Sequence, residues 1–203
     1  MRRIQCLMLL GLLAALTSQA QAGGIYMGGS AGLAYRPDTF LTSPSLGTER
    51  MVFAQGLAVG GFVGYDFGNR LRLETEIFYR ENEIRTGGGN APQAGTSSLM
   101  FNGYYDLPLT GSFDVYFGGG LGVGTAELTT ISLGQNIDEN KSVFAYQLET
   151  GVGWNFNSNF NLSLGYRFFD ATDPEFELPT GARVRMELSN HEFIFKLRYR
   201  FDL

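Results

Sequence analysis

The one histidine of the chain, His191, follows Ser189 by two residues and Glu187 by four. Hydroxyl, imidazole and carboxylate are the groups that general-base-activated acyl transfer requires. On an extended strand the three would share one face. A working triad also needs a hydrogen-bonded relay that fixes the imidazole, and segment 170–190 offers no residues placed to build one. A single histidine at a strand–loop junction reads as an interfacial group, and no catalytic residue is assigned. Asp170, Asp173, Glu175 and Glu177 supply oxygen ligands of the kind calcium takes, but Pro174 interrupts them and their spacing is not that of an EF-hand loop. They read as solvated loop acids. Gly87-Gly88-Gly89 and Gly118-Gly119-Gly120 lack the lysine and helix of a phosphate loop. No metal or cofactor is expected.

The densest ionic chemistry lies instead in rows that alternate with large apolar residues. From His191 to Leu203 the chain reads H-E-F-I-F-K-L-R-Y-R-F-D-L. Phe193, Phe195, Leu197, Tyr199, Phe201 and Leu203 fall on one face of a strand. Glu192, Ile194, Lys196, Arg198 and Arg200 fall on the other. The same two-residue period recurs along the chain, and long helical periodicity does not. Eight strands are predicted, near 24–35, 53–67, 71–80, 99–107, 113–125, 143–156, 160–169 and the closing segment.

The connectors alternate in length. Short ones contain Gly68-Asn69-Arg70, Leu109-Thr110-Gly111 and Asn157-Ser158-Asn159, all turn-forming. Long ones run near 37–52, 81–98, 126–142 and 170–190. Four long and three short connectors put both chain ends on the short-turn side, as in outer-membrane barrels. The hairpin G-Y-D-F-G-N-R-L-R-L at 64–73 has a counterpart in G-W-N-F-N-S-N-F-N-L at 153–162. Shared turn-and-girdle rules account for this, with internal duplication as the alternative.

The opening segment, residues 1–22, has the form of a secretory signal peptide. Arg2 and Arg3 precede the apolar run Ile4 to Leu16, and Ala20-Gln21-Ala22 marks a cleavage site near Ala22. Residues 23–203 then form one barrel domain. The one cysteine, Cys6, lies inside the leader, so no disulfide is expected in the processed chain. Loss of Arg2 and Arg3 lowers the basic count from 15 to 13 against 20 acids, a formal net charge of about −7. That sign argues against a nucleic-acid partner.

Alternation alone does not say which face meets water, since a soluble lipocalin-like barrel would turn its apolar face inward. Two features favour lipid outside. Tyr65, Phe67, Tyr105, Phe113, Trp154, Phe156, Phe160, Tyr199 and Phe201 cluster at strand ends near the short turns, where a membrane-interface girdle belongs. The polar face is rich in glycine, useful inside a narrow eight-stranded cylinder and of little value on a solvated exterior. The fold class is therefore all-β, an eight-stranded antiparallel up-and-down transmembrane β-barrel. Its interior would hold Asn102, Gln147 and an ion-pair network of Arg72, Glu74, Glu76, Arg80, Glu149, Arg167, Glu192, Lys196, Arg198 and Arg200. A plugged, paired lumen and a narrow watered path along the glycine side are both open at this point.

Several segments resemble the opacity-protein and surface-antigen family of Gram-negative outer-membrane barrels, which is similar in shape to the OmpA membrane domain. They are G-G-I-Y-M-G-G-S-A-G-L, V-G-Y-D-F-G-N-R-L-R-L-E-T-E, S-L-M-F-N-G-Y-Y-D-L, V-Y-F-G-G-G-L-G-V-G, F-A-Y-Q-L-E-T-G-V-G, L-S-L-G-Y-R-F-F-D and the tail. They cover the strands and none of the long loops. Leu203 departs from the phenylalanine usual at the end of such chains, which bears on the match to the barrel-assembly machinery. The resemblance implies an eight-stranded barrel of the Gram-negative outer membrane, in some members an adhesin or immune-exposed antigen; the expected partners are outer-membrane lipid and lipopolysaccharide, the barrel-assembly machinery and a host or surface ligand reached through the loops, and the expected state is a monomer.

The expected function is that of a structural or surface-interaction protein, surface-antigen or adhesin-like, that displays four extracellular loops and is not an enzyme. The alternatives are a porin-like channel for small solutes and a lipid A-modifying enzyme.

Overall fold

The computed structural model describes residues 23–37, 39–43, 47–85, 93–132, 135–173, 175–177, 183–185 and 188–201, so the expected leader lies outside it. Among these residues twelve strands occur in chain order: β1 (Gly24–Tyr35), β2 (Thr39–Ser43), β3 (Gly47–Phe53), β4 (Gly56–Asp66), β5 (Leu71–Arg85) and β6 (Gln93–Pro108), followed by β7 (Phe113–Ser132), β8 (Gln135–Asn155), β9 (Phe160–Ala171), β10 (Glu175–Glu177), β11 (Arg183–Arg185) and β12 (Asn190–Arg200). No helix occurs among the described residues.

Eight of these strands close on themselves. β1 pairs β4, and each next strand pairs its neighbour through β5, β6, β7, β8, β9 and β12. β12 returns to β1 over a register running from Tyr26↔Arg200 to Tyr35↔His191. Every barrel pairing is antiparallel, and the β1–β12 closure leaves no barrel strand with an open edge.

The short turns sit where turn chemistry placed them. Gly68 (φ 72°) and Arg70 (φ 75°) adopt left-handed backbone, a conformation glycine takes freely and arginine seldom does. The Asp66 carboxylate accepts from the Gly68 amide at 2.9 Å, and Asn157 Oδ1 accepts from the amides of Asn159 and Phe160 at 2.9 and 2.8 Å. Such side-chain caps satisfy the donors that the strand ladders leave behind.

The long connectors differ from expectation. β5 and β6 pair out to Glu83↔Gln93, and β7 and β8 pair to Ser132↔Gln135. Segment 37–52 contains the β2–β3 hairpin and segment 170–190 the β10–β11 hairpin. Leu128-Thr129-Thr130-Ile131 favours extended backbone, and pairing satisfies amides that an open loop would leave to water. β7 has 20 residues, or ~66 Å at ~3.3 Å per residue, whereas a tilted membrane crossing takes only about 9–11. The β7–β8 hairpin thus continues beyond the bilayer on the long-loop side.

Burial is inverted relative to a water-soluble protein. Leu57 is 71% exposed, Ile77 67% and Phe101 64%, while Glu76, Arg80, Arg167 and Glu192 are each 0% exposed. Water would drive those two sets to opposite places. Hydrocarbon around the cylinder reconciles both, which removes the lipocalin-like alternative.

A charge-filled lumen as the candidate functional site

The interior is built by the inward parity of each strand. On β5, Arg72, Glu74, Glu76, Phe78 and Arg80 all point in and are buried. On β8, β9 and β12 the same parity delivers Glu149, Arg167, Glu192 and Lys196. Arg167 anchors the middle. Its Nη2 donates to Glu76 Oε2 and to Glu149 Oε2, both at 2.8 Å, and its Nε donates to Glu149 Oε2 at 3.0 Å. Glu192 lies 3.7 Å from the other Arg167 nitrogen and is bound directly by Arg80 Nε.

Lys196 extends the network toward the short turns. Its Nζ lies 3.0 Å from Glu149, 3.5 Å from Glu74 and 3.7 Å from Glu76. Arg72 stands 3.9 Å from Glu74 but places its fork on Asp106, at 2.6 and 2.8 Å. Desolvating so many charges costs several kcal/mol each, and the opposite charges and the hydrogen bonds between them offset that cost in part. Gln147 joins in, its amide donating to Asn102 Oδ1 at 2.8 Å.

Two arginines expected in the network stand apart from it. Arg198 makes no ion pair or hydrogen bond among the described residues and lies over the Tyr26 ring, 5.3 Å from its centroid. Arg200 sits at the short-turn mouth, 3.8 Å from Asp66, and donates to the Ser158 carbonyl at 3.0 Å. The inward parity continues to both, but among the described residues no carboxylate forms an ion pair with Arg198.

Sequence reasoning passed over the tyrosines and aspartates that complete the site. Tyr104 and Tyr116 donate to the two oxygens of Glu149 at 3.0 and 2.9 Å, and Tyr26 donates to Glu74 at 3.3 Å. Asp106 and Asp114 face the same interior. Their parity was available, since Tyr26 alternates with Ile25 and Met27, and Tyr104 with Tyr105.

The glycines serve these rings. A Cβ on Gly28 would strike Phe62, on Gly60 Phe78, on Gly64 Tyr26 and on Gly118 Tyr104. The glycine staves are therefore recesses that receive bulky side chains, not the wall of a watered path. Above the ion pairs, Met100, Ala126, Val143, Ala145, Phe169, Ala171 and Leu188 form an apolar cluster on the long-loop side. Arg80 stacks between Phe78 and Phe169, 4.4 and 3.8 Å from their centroids.

On the outside, the nine aromatics near the short turns lie on the outward face. Six make a continuous chain, Phe113–Trp154–Phe156–Phe160–Tyr199–Phe201, with centroid separations of 6.3, 5.7, 5.8, 4.9 and 5.0 Å. Tyr65 packs on Phe67 at 5.1 Å and Tyr105 on Phe117 at 5.6 Å.

His191 also faces outward, and its Nδ1 and the Tyr166 hydroxyl share a hydrogen bond of 2.6 Å. Glu187 lies outside the described residues. Asp170 accepts from the Tyr146 hydroxyl at 2.7 Å, and Glu175 and Glu177 stand opposite Arg185 and Arg183 in the β10–β11 register. Among the described residues no three His, Cys, Asp or Glu side chains converge as metal ligands.

The chain is similar to known proteins in three ways. Residues 6–201 match the family model described as outer membrane protein beta-barrel domain. Outer membrane protein PagN of Salmonella typhimurium is 27% identical over 142 residues, which is 59% of this chain and 58% of that protein. The chain thus spans less than two thirds of this relative's length. Among solved structures, OprG of Pseudomonas aeruginosa superposes with a TM-score of 0.69 at 14% identity, covering 90% of this chain and 98% of that one. Neisserial surface protein A gives 0.60 at 20% identity, covering 89% and 100%. Both share the fold. With its closed eight-stranded wall, apolar exterior and charged interior, the chain belongs to the outer membrane protein beta-barrel domain family and resides in the Gram-negative outer membrane.

Proposed function

We propose that this protein is a monomeric surface-interaction scaffold, antigen- or adhesin-like, whose barrel holds four extracellular loops in fixed relation. The observation that carries this reading is the closed lumen. Arg167, Glu76, Glu149, Arg80 and Glu192 have fully shielded side chains, and the apolar cluster around Phe169 and Leu188 caps them. A solute path would have to break paired, desolvated charges. The porin-like alternative loses its support there. With transport set aside, the part of the molecule free to act is the exposed loop end, where function in such barrels concentrates.

An enzymatic reading has little to stand on. His191 Nδ1 is engaged by a tyrosine hydroxyl, where a triad needs a carboxylate. We read residues 1–22 as a leader removed near Ala22, and the outer aromatics as an interfacial girdle in contact with phospholipid and lipopolysaccharide. Folding into the membrane would pass through the barrel-assembly machinery, and no nucleic acid or cofactor takes part.

The test is display on a non-adherent Gram-negative cell. Wild type and a variant with residues 86–92 replaced by a short Gly-Ser linker are compared at equal surface density for attachment to cultured epithelial cells. Attachment by wild type that falls in the variant supports the reading. Equal attachment by both and by empty cells sinks it.

A further inference from the structure

The barrel interior is not uniformly filled. Below the Lys196 level it opens into a cavity of about 680 Å³ at the short-turn end, ringed by the turns that contain Gly68, Gly111 and Ser158. Such turns are periplasmic in outer-membrane barrels, so this vestibule faces the periplasm. Its size is that of a small-molecule site.

The charges around it are nearly all accounted for. Asp106 is held by the Arg72 fork, Asp114 accepts from Asn155 Nδ2 at 2.7 Å, and Asp66 has the Gly68 amide at 2.9 Å and Arg200 at 3.8 Å. Arg70, in the turn between β4 and β5, makes none of these contacts, and inside the barrel Arg198 is the exception. It lines the cavity with its guanidinium on the Tyr26 face and has no hydrogen bond or ion pair among the described residues. Asn161, also lining the cavity, turns its amide toward Asn155 Oδ1 at 2.8 Å. A guanidinium presents a planar fork of donors, always charged, that matches the two oxygens of a carboxylate or phosphate. Tyr26 fixes one face of that plane, which leaves its edge for a ligand.

We infer that the periplasmic vestibule is a binding site for an oxyanion, a carboxylate or phosphate group of a soluble periplasmic molecule, with Arg198 as its fork. The inference goes beyond the loop-display reading and does not depend on it. Arg200, which shares the lining, is committed to Asp66, and Arg72, deeper in the barrel, to Asp106, so neither competes with Arg198 for a ligand. Tyr26 lines the inner end of the cavity, and beyond Arg198 the space narrows to a small pocket between Tyr104, Tyr116 and Lys196, so the wide entrance is the periplasmic one.

The test uses the whole folded barrel in maltoside micelles, which carry no phosphate of their own. Inorganic phosphate and, separately, acetate are titrated at constant ionic strength against chloride while the arginine side-chain Nε–H resonances are followed. A saturable shift of Arg198 with either anion, with Arg167 unmoved, is expected. Arg198→Gln should bind about tenfold more weakly. Arg198→Lys, which keeps the charge without the fork, should weaken acetate more than phosphate. Heat-modifiable gel mobility verifies that each variant is folded. A shift that stays linear and equals the chloride control, or an affinity unchanged in folded Arg198→Gln, overturns the site. Addition of a short-chain phosphatidylglycerol distinguishes the source. Competition by it at concentrations below those of free phosphate would assign the site to a lipid headgroup and overturn the soluble ligand.

Discussion

Arg167 on β9 and Glu76 on β5 are joined at 2.8 Å across the full width of the barrel, 91 residues apart in the chain. The two strands are four staves apart in either direction around an eight-stranded ring. The bond therefore ties opposite walls together, which backbone pairing between neighbours cannot do.

Arg167→Met removes the shared partner of Glu76 and Glu149. Stranding buried carboxylates should lower unfolding free energy by about 3–5 kcal/mol. Arg198→Met, which breaks no ion pair, should cost under about 1 kcal/mol. Urea midpoints in lipid vesicles compare them, and equal midpoints would contradict a load shared through Arg167.

The Arg80–Glu192 pair is buried on both sides. Glu192→Leu alone should cost about 3–5 kcal/mol, because it leaves the guanidinium unpaired, and Arg80→Met with Glu192→Leu should recover most of the loss. A double-mutant cycle on the same unfolding assay reads the coupling. Additive single effects would mean that the two side chains act independently.

Gly60→Val forces a branched side chain into the recess that holds Phe78. Overpacking of this kind costs about 1–3 kcal/mol, and the nearby Ile77 carbonyl, 2.6 Å from the added Cβ, limits relief. Adding Phe78→Ala should recover part of the folded fraction seen by unboiled gel mobility. A fully folded single variant would show that the recess is slack.

Planar bilayers test closure directly. Wild type should give no discrete conductance steps. Arg167→Ser with Glu76→Ser, which empties the central tie, should give small openings if the barrel stays closed. Stable openings in wild type would reinstate the channel reading.

Trp154 is the one tryptophan, 44% exposed on the outer face at the short-turn end. In vesicles, lipids brominated near the headgroup should quench its emission more than lipids brominated at the chain terminus. The reverse order would place the ring away from the interface.

How much of this the chain disclosed depends on period. A two-residue alternation that never falters over β1 or β12 gave both faces, and Gly24–Tyr35 is recovered to the residue. The interior charges on β5, β8, β9 and β12 followed from parity, as did the outward aromatics. Two things were hidden. Strand ends in 81–98 and 126–142 lack a strong apolar rhythm, so the ladders there are fixed by pairing with each other and not by a face against lipid. Partners across the lumen depend on which staves oppose, and a barrel of known strand number still has its stagger to fix. That is why Arg198 looked like a member of the network and Asp106 did not.

The β1–β12 seam carries one last implication. Were β12 to join β1 one residue out of step, Lys196, Arg198, Arg200 and Glu192 would turn into hydrocarbon. Each basic group near the bilayer centre would cost about 2–4 kcal/mol, less toward the edges. The bilayer itself thus disfavours a misaligned closure, because only the ring in step keeps its charges out of hydrocarbon.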